Sequence, residues 1–73
     1  MVYILIMNKF AERLKDLRQQ NNLTQRQLAK QTGFSQPAIA RWEANLQIPN
    51  IDVAITFAKY FNVTTDYLLG LED

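Results

Sequence analysis

"LTQRQLAKQTGFSQPAIARWE", residues 23–43, carries two helix-start signals with a helix-stop signal between them. Thr24 is followed three residues later by Gln27, the spacing of a capping box, in which the cap hydroxyl and the later side chain satisfy each other's backbone N–H groups. Leu23 and Leu28 stand where a hydrophobic staple closes over that cap. Gly33 adopts left-handed backbone without steric cost, which predicts a stop after Thr32. The same grammar then repeats. Phe34 and Ile39 take the staple positions, Ser35 is the cap, and Pro37 falls in the first turn, where its missing N–H has no helical partner to lose. Two short helices joined through Gly33, Phe34 and Ser35 make a helix-turn-helix.

The second of these helices, about residues 36–43, separates cleanly into two faces. At about 100° per residue, with Gln36 at zero, Ala38, Ile39 and Trp42 fall between roughly 200° and 300° and form the core side. Gln36, Pro37, Ala40 and Arg41 fall between zero and roughly 140°. An ordinary solvated face carries Glu and Lys, whereas this one has a long amide, a guanidinium, two small apolar groups and no acid. Such a set suits base-pair edges. Arg donates to guanine O6 and N7, Gln pairs with adenine N6 and N7, and an alanine methyl or proline ring touches the thymine methyl. Gln36, Pro37, Ala40 and Arg41 are therefore the candidate base contacts, while the arc position of Trp42 assigns it to the core rather than to base stacking.

Outward from this pair the chain reads as helix throughout. Asn8 can cap a first helix whose stripe is Phe10, Leu14 and Leu17 and which ends near Asn21 and Asn22. A fourth helix is expected from about Ile51 to Phe61, capped by Asn50, with Asp52 in the favourable first turn and a buried stripe of Ile51, Ala54, Ile55, Ala58 and Phe61. Asn62 can end it. A fifth runs from Thr65 to Leu69, with Thr64 as cap, Val63 and Leu68 as staple and Gly70 as terminator. The fold expected is all-α, with five helices over residues 8–73.

Residues 1–7, "MVYILIM", are too short for a membrane span and lack the basic leader of a signal peptide. They read as an apolar extension, either a short strand seeking a partner edge or a poorly ordered segment ahead of a second start at Met7.

Composition narrows function further. The 73 residues include no cysteine and no histidine, which argues against disulfides, thiolate chemistry and the usual zinc sites and is compatible with the cytoplasm. No metal or cofactor is expected. Ser35 has no histidine to activate it, and neither a carboxylate pair nor a phosphate-cradling glycine loop is visible, so the chain does not read as an enzyme. The net charge of +1 hides an asymmetry: residues 8–49 carry seven basic and three acidic side chains, net +4, whereas residues 50–73 carry one basic and four acidic, net −3. The basic part contains the helix pair.

The segment "RLKDLRQQNNLTQRQLAKQTGFSQPAIARWE", followed by "IP", "AITFAKYFNV" and "DYLLG", resembles the Cro and repressor type of helix-turn-helix domain, also called the xenobiotic-response-element family. The resemblance runs from about residue 9 to residue 71. It implies a five-helix, lambda-repressor-like domain of prophage, plasmid or bacterial origin that binds double-stranded operator DNA as a homodimer at the nucleoid. By position, Gln25 resembles the family glutamine that holds a phosphate and braces the recognition helix, and Gln36 resembles the residue that reads a base. Pro37, Ala40 and Arg41 match variable recognition positions. Arg18 and Glu43 match a charged pair buried between the first and third helices.

The loop "ANLQIP" departs from the family pattern, with Asn45 near the place of a glycine and no lysine or arginine. Phosphate contacts are then expected from Gln25, Arg13, Arg26, Ser35, Asn45 and Gln47 together with backbone N–H groups. Tyr67, Leu68 and Leu71 are the expected dimer contacts. The reading that follows is a transcriptional regulator, a repressor by preference, whose two recognition helices enter successive major grooves ~34–36 Å apart on an inverted repeat. No membrane or small-molecule partner is implied. The alternative is a protein-interaction module, such as an antitoxin-like adaptor, that keeps the fold without specific DNA binding.

Overall fold

The computed structural model describes residues 2–72, with side chains from Lys9 onward. Five helices follow one another: α1 (Val2–Gln20), α2 (Gln25–Thr32), α3 (Gln36–Glu43), α4 (Ile51–Phe61) and α5 (Thr65–Leu69), with no strand among the described residues. None of these helices is long and apolar enough to cross a membrane.

Helix boundaries are set by local chemistry. Thr24 forms the full capping box, its hydroxyl accepting from Gln27 N at 3.0 Å while Gln27 Oε1 accepts from Thr24 N at 2.8 Å. Ser35, Asn50 and Thr64 cap α3, α4 and α5 by accepting from the backbone N–H groups of Ala38, Val53 and Tyr67. Each helix is followed by a left-handed residue, namely Asn22, Gly33, Asn45, Asn62 and Gly70. After α1, α3, α4 and α5 the next backbone N–H returns to the carbonyl five residues earlier: Leu23 to Arg18, Leu46 to Arg41, Val63 to Ala58 and Leu71 to Asp66, at 2.8–3.1 Å. These are Schellman closures, which satisfy carbonyls that the helix itself leaves open.

The core lies between α1 and the other four helices. Phe10, Leu14, Leu28, Ile39, Phe57 and Leu68 are fully buried. Phe57 is its aromatic centre, with ring centroids 6.3 Å from Phe10, 5.1 Å from Phe34 and 5.6 Å from Trp42. Trp42 meets Phe34 edge to face at 5.2 Å, a favoured geometry for aromatic pairs. The tryptophan is thus a core residue, as its arc position predicts.

Three expectations are corrected. The extended segment expected near the amino terminus is helical from Val2 onward, so Asn8 lies inside α1 and does not cap it; Met1 falls outside the described residues. Propagating a formed helix fixes one residue per added hydrogen bond, and Leu5 and Met7 are good helix formers. On α4 the buried face is Val53, Ala54, Phe57 and Ala58, while Ile51 is 66% exposed. Apolar residues occupy almost every position of that helix, so two phases fit its periodicity, and the pull of Phe57 into the aromatic centre selects one. Leu68, expected at a dimer contact, is fully buried because closing the staple with Val63 turns it into the core.

Helix α5 and the tail are strapped onto α1. Arg13 donates from Nη1 to the carbonyl oxygens of Tyr67 and Glu72, and its guanidinium lies 4.2 Å from the centroid of the Tyr67 ring. Gly70 sits so close to α1 that an added Cβ would collide with the Lys9 side chain. Thr64 donates its hydroxyl to the Glu72 carboxylate, bringing the tail back over the start of α5.

Candidate nucleic-acid interface

A chain of side-chain bonds runs from the interior to the outer face of α3. Arg18 on α1 donates from Nε to Glu43 Oε2 at 2.7 Å and from Nη2 to Glu43 Oε1 at 2.9 Å. The two side chains are only 12% and 4% exposed. Arg18 also donates from Nη1 to Leu23 O at 2.8 Å, tying the pair to the turn before α2. Glu43's hydrogen bonds and charge raise the Arg18 pKa above its ordinary value, outweighing the opposing effect of burial. The ion pair inferred from resemblance is therefore present and bidentate, the geometry in which Arg and carboxylate match best.

The next two links are amides. Gln25, at the first position of α2, donates Nε2 to Glu43 Oε1 at 3.1 Å, and Gln36, at the first position of α3, donates Nε2 to Gln25 Oε1 at 2.8 Å. Because Glu43 accepts only, Gln25 must turn its N–H₂ inward and its oxygen toward Gln36. Gln36 in turn uses one N–H on Gln25, and its other N–H and Oε1 take no hydrogen-bond partner among the described residues. Gln25 is thus bonded both to Gln36 and to the ion pair; the second bond was not legible from the sequence, since nothing in the spacing couples residues 25 and 43.

On the outer face of α3, Pro37 and Arg41 are exposed and Gln36 and Ala40 are half-buried. All four expected base contacts share one side of the helix, opposite Ile39 and Trp42, which are buried. Arg41 donates from Nε to Gln47 Oε1 at 3.1 Å. That bond places Gln47 beside α3, again without a sequence signal.

The residues expected at phosphates are dispersed. Gln25 lies beside Gln36, Arg26 is exposed one residue later, and Ser35 is exposed with its hydroxyl engaged as the α3 cap. Asn45, half-buried, supplies the left-handed residue after α3 with φ 63°, and Gln47 is exposed in the following loop. Arg13 stands apart from this group, committed to the Tyr67 carbonyl in the last turn of α5, where the helix favours a cation, and to the Glu72 carbonyl in the tail. Of the dimer candidates besides Leu68, Tyr67 is half-buried beneath Arg13 and Leu71 is 55% exposed.

The helix-turn-helix family profile matches residues 14–68, a span that begins within α1, takes in α2, α3 and α4 whole and ends within α5. The chain belongs to the Cro and repressor type of helix-turn-helix family. This helix-turn-helix domain is 43% identical over 65 residues to the HTH-type transcriptional activator BcrR of Enterococcus faecalis, a match covering 89% of the chain and 32% of BcrR. It is 34% identical to the uncharacterized HTH-type transcriptional regulator YobD of Bacillus subtilis, with 88% of the chain and 57% of YobD covered. With ImmR of the same organism, an HTH-type transcriptional regulator, identity is 31% over 85% of the chain and 49% of ImmR. The chain thus spans between about a third and just over half the length of these relatives.

Proposed function

We propose that this helix-turn-helix domain binds double-stranded DNA sequence-specifically as a transcriptional regulator, with α3 in the major groove. One observation carries the reading: Gln36 is held at the head of α3 by a bonded chain through Gln25 and Glu43 to Arg18, on a face that carries Pro37, Ala40 and Arg41 and no acid. Holding a base-reading amide in one rotamer before the ligand arrives lowers the ordering cost of binding. The names of BcrR, YobD and ImmR as transcriptional regulators support the same reading.

Gln36, Pro37, Ala40 and Arg41 would read bases, and Gln25, Arg26, Ser35 and Asn45 would meet phosphates through side chains or backbone N–H groups. The domain would act as a homodimer on an inverted repeat, with Tyr67 and Leu71 at the contact between copies. Occupancy of a promoter would repress transcription, and occupancy beside one would activate it. The name of BcrR as an activator supports the second arrangement.

Selection of duplexes from a random pool by the purified protein at near-physiological salt tests the proposal. An enriched inverted repeat with half-sites about one helical turn apart supports a dimeric operator binder. Enrichment of no sequence, with binding that fades as salt rises, leaves only nonspecific electrostatic attraction; the alternative of a protein-interaction module would then replace this proposal.

A further inference from the structure

The Schellman closure after α3 does more than end a helix. Leu46 N donates to Arg41 O at 3.0 Å and Asn45 N donates to Trp42 O at 3.2 Å, with Asn45 left-handed between them. The backbone of the loop is thereby pinned to Arg41, and the next residue, Gln47, reaches the Arg41 side chain and accepts from its Nε at 3.1 Å. Arg41 is thus held twice by consecutive residues of one loop, through its carbonyl and through its guanidinium.

Resting on the DNA-binding reading, we infer that Gln47 is a positioning residue for base readout by Arg41 and not an independent phosphate contact. Arginine carries five N–H donors in a planar fork. With the Nε–H accepted by Gln47, the side of the fork formed by Nε and Nη2 is closed to a ligand. The end formed by Nη1 and Nη2 remains, and it carries the two parallel donors that guanine O6 and N7 accept. Among the described residues Arg41 makes no ion pair and its side-chain hydrogen bond goes to Gln47, so without Gln47 nothing there opposes a swing to the nearest phosphate. A phosphate contact adds affinity but no sequence information. The bond to Gln47 therefore converts a mobile cation into a directed reader, and the loop's lack of lysine and arginine becomes useful, since no second cation competes for the same base.

The test uses the full chain and the duplex enriched from the random pool. Each base pair of one half-site is replaced in turn, and the dissociation constant is measured for wild type, Arg41→Ala, Gln47→Met, Gln47→Glu and the double variant Arg41→Ala with Gln47→Met. Arg41→Ala marks the base pair at which preference disappears. Gln47→Met, which keeps length and removes the acceptor, is expected to lower the preference at that same pair by about 2- to 10-fold, the range of one hydrogen bond. It should have no effect at other pairs and none when Arg41 is already alanine. Gln47→Glu restores an acceptor and should recover the preference at that pair, while its charge weakens binding to all duplexes alike. Uniform weakening by Gln47→Met with a shallower salt slope would overturn the inference in favour of a phosphate contact. An unchanged preference in Gln47→Met would overturn it as well. Failure of the wild-type protein to enrich any sequence would overturn the DNA-binding reading itself, and is seen before any Gln47 variant is measured.

Discussion

Gln36 donates its Nε2 to Oε1 of Gln25 at 2.8 Å, so the amide at the head of α3 has a defined orientation before any ligand is present. Removing the brace should blur readout more than it weakens the fold. Gln25→Ala leaves the bidentate Arg18–Glu43 pair intact and is expected to cost about 1–3 kcal/mol of stability, the range of the hydrogen bonds it makes to Glu43 and Gln36. In the same variant the base preference assigned to Gln36 should fall, as measured by duplex competition. A preference identical to wild type would show that Gln36 needs no brace.

The ion pair below it should behave differently. Glu43→Ala strands the Arg18 guanidinium, whose side chain is 12% exposed, and should destabilise the domain by about 3–5 kcal/mol in urea denaturation. Replacing both partners with apolar residues, Arg18→Met with Glu43→Leu, should recover most of that loss while leaving Gln25 without its acceptor and readout impaired. Stability and readout would then part company in one protein. The direction of the Arg18 shift fixes the pH dependence. A raised folded-state pKa gives stability that is fully present below the unfolded value and is lost as pH rises through the folded one. For an arginine both lie far above neutrality, so this group's contribution should stay constant on titration across the neutral range.

Two positions on α4 decide its buried phase. Phe57→Ala removes the ring that Phe10, Phe34 and Trp42 share and should cost about 3–5 kcal/mol. Ile51→Ala, at a side chain 66% exposed, should change stability by no more than about 0.5 kcal/mol. Comparable losses at the two sites would return Ile51 to the core.

The glycines that end α2 and α5 are both left-handed but differ in their surroundings. At Gly33 (φ 83°) an added Cβ meets open space, whereas at Gly70 (φ 80°) it meets the Lys9 side chain. Gly33→Ala should therefore show the left-handed backbone cost alone, about 1–2 kcal/mol, and Gly70→Ala should exceed it in thermal denaturation. Equal losses would mean that Lys9 moves aside without cost.

Much of this architecture was legible because its boundaries are encoded within four or five residues. The capping box at Thr24, the caps at Ser35, Asn50 and Thr64, and the left-handed residues Asn22, Gly33, Asn45, Asn62 and Gly70 all fall where local chemistry predicts them. The two faces of α3 were legible for the same reason, since a helix eight residues long with Ile39 and Trp42 on one side has little freedom of phase. Long-range choices were not. Whether Arg13 meets a phosphate or the end of α5, and which face of α4 the aromatic centre captures, both depend on neighbours more than ten residues away in sequence. The bonds from Gln25 to Glu43 and from Gln47 to Arg41 were not legible for a different reason: an amide side chain carries no mark of its partner, near or far.

On α3 the residues that hold the helix in place and those on its open face are different residues. Ile39 and Trp42 are buried, Ser35 and Asn45 mark the ends, and Pro37 and Arg41 stand exposed. Exchanges at exposed positions away from caps and core typically shift stability by no more than about 0.5 kcal/mol. Arg41 can therefore be rewritten by mutation with the scaffold unchanged, so that successive variants explore new chemistry on this surface without passing through unfolded intermediates. A domain of 73 residues with a small core is thereby free to diverge quickly in what its third helix recognises while conserving how that helix is held.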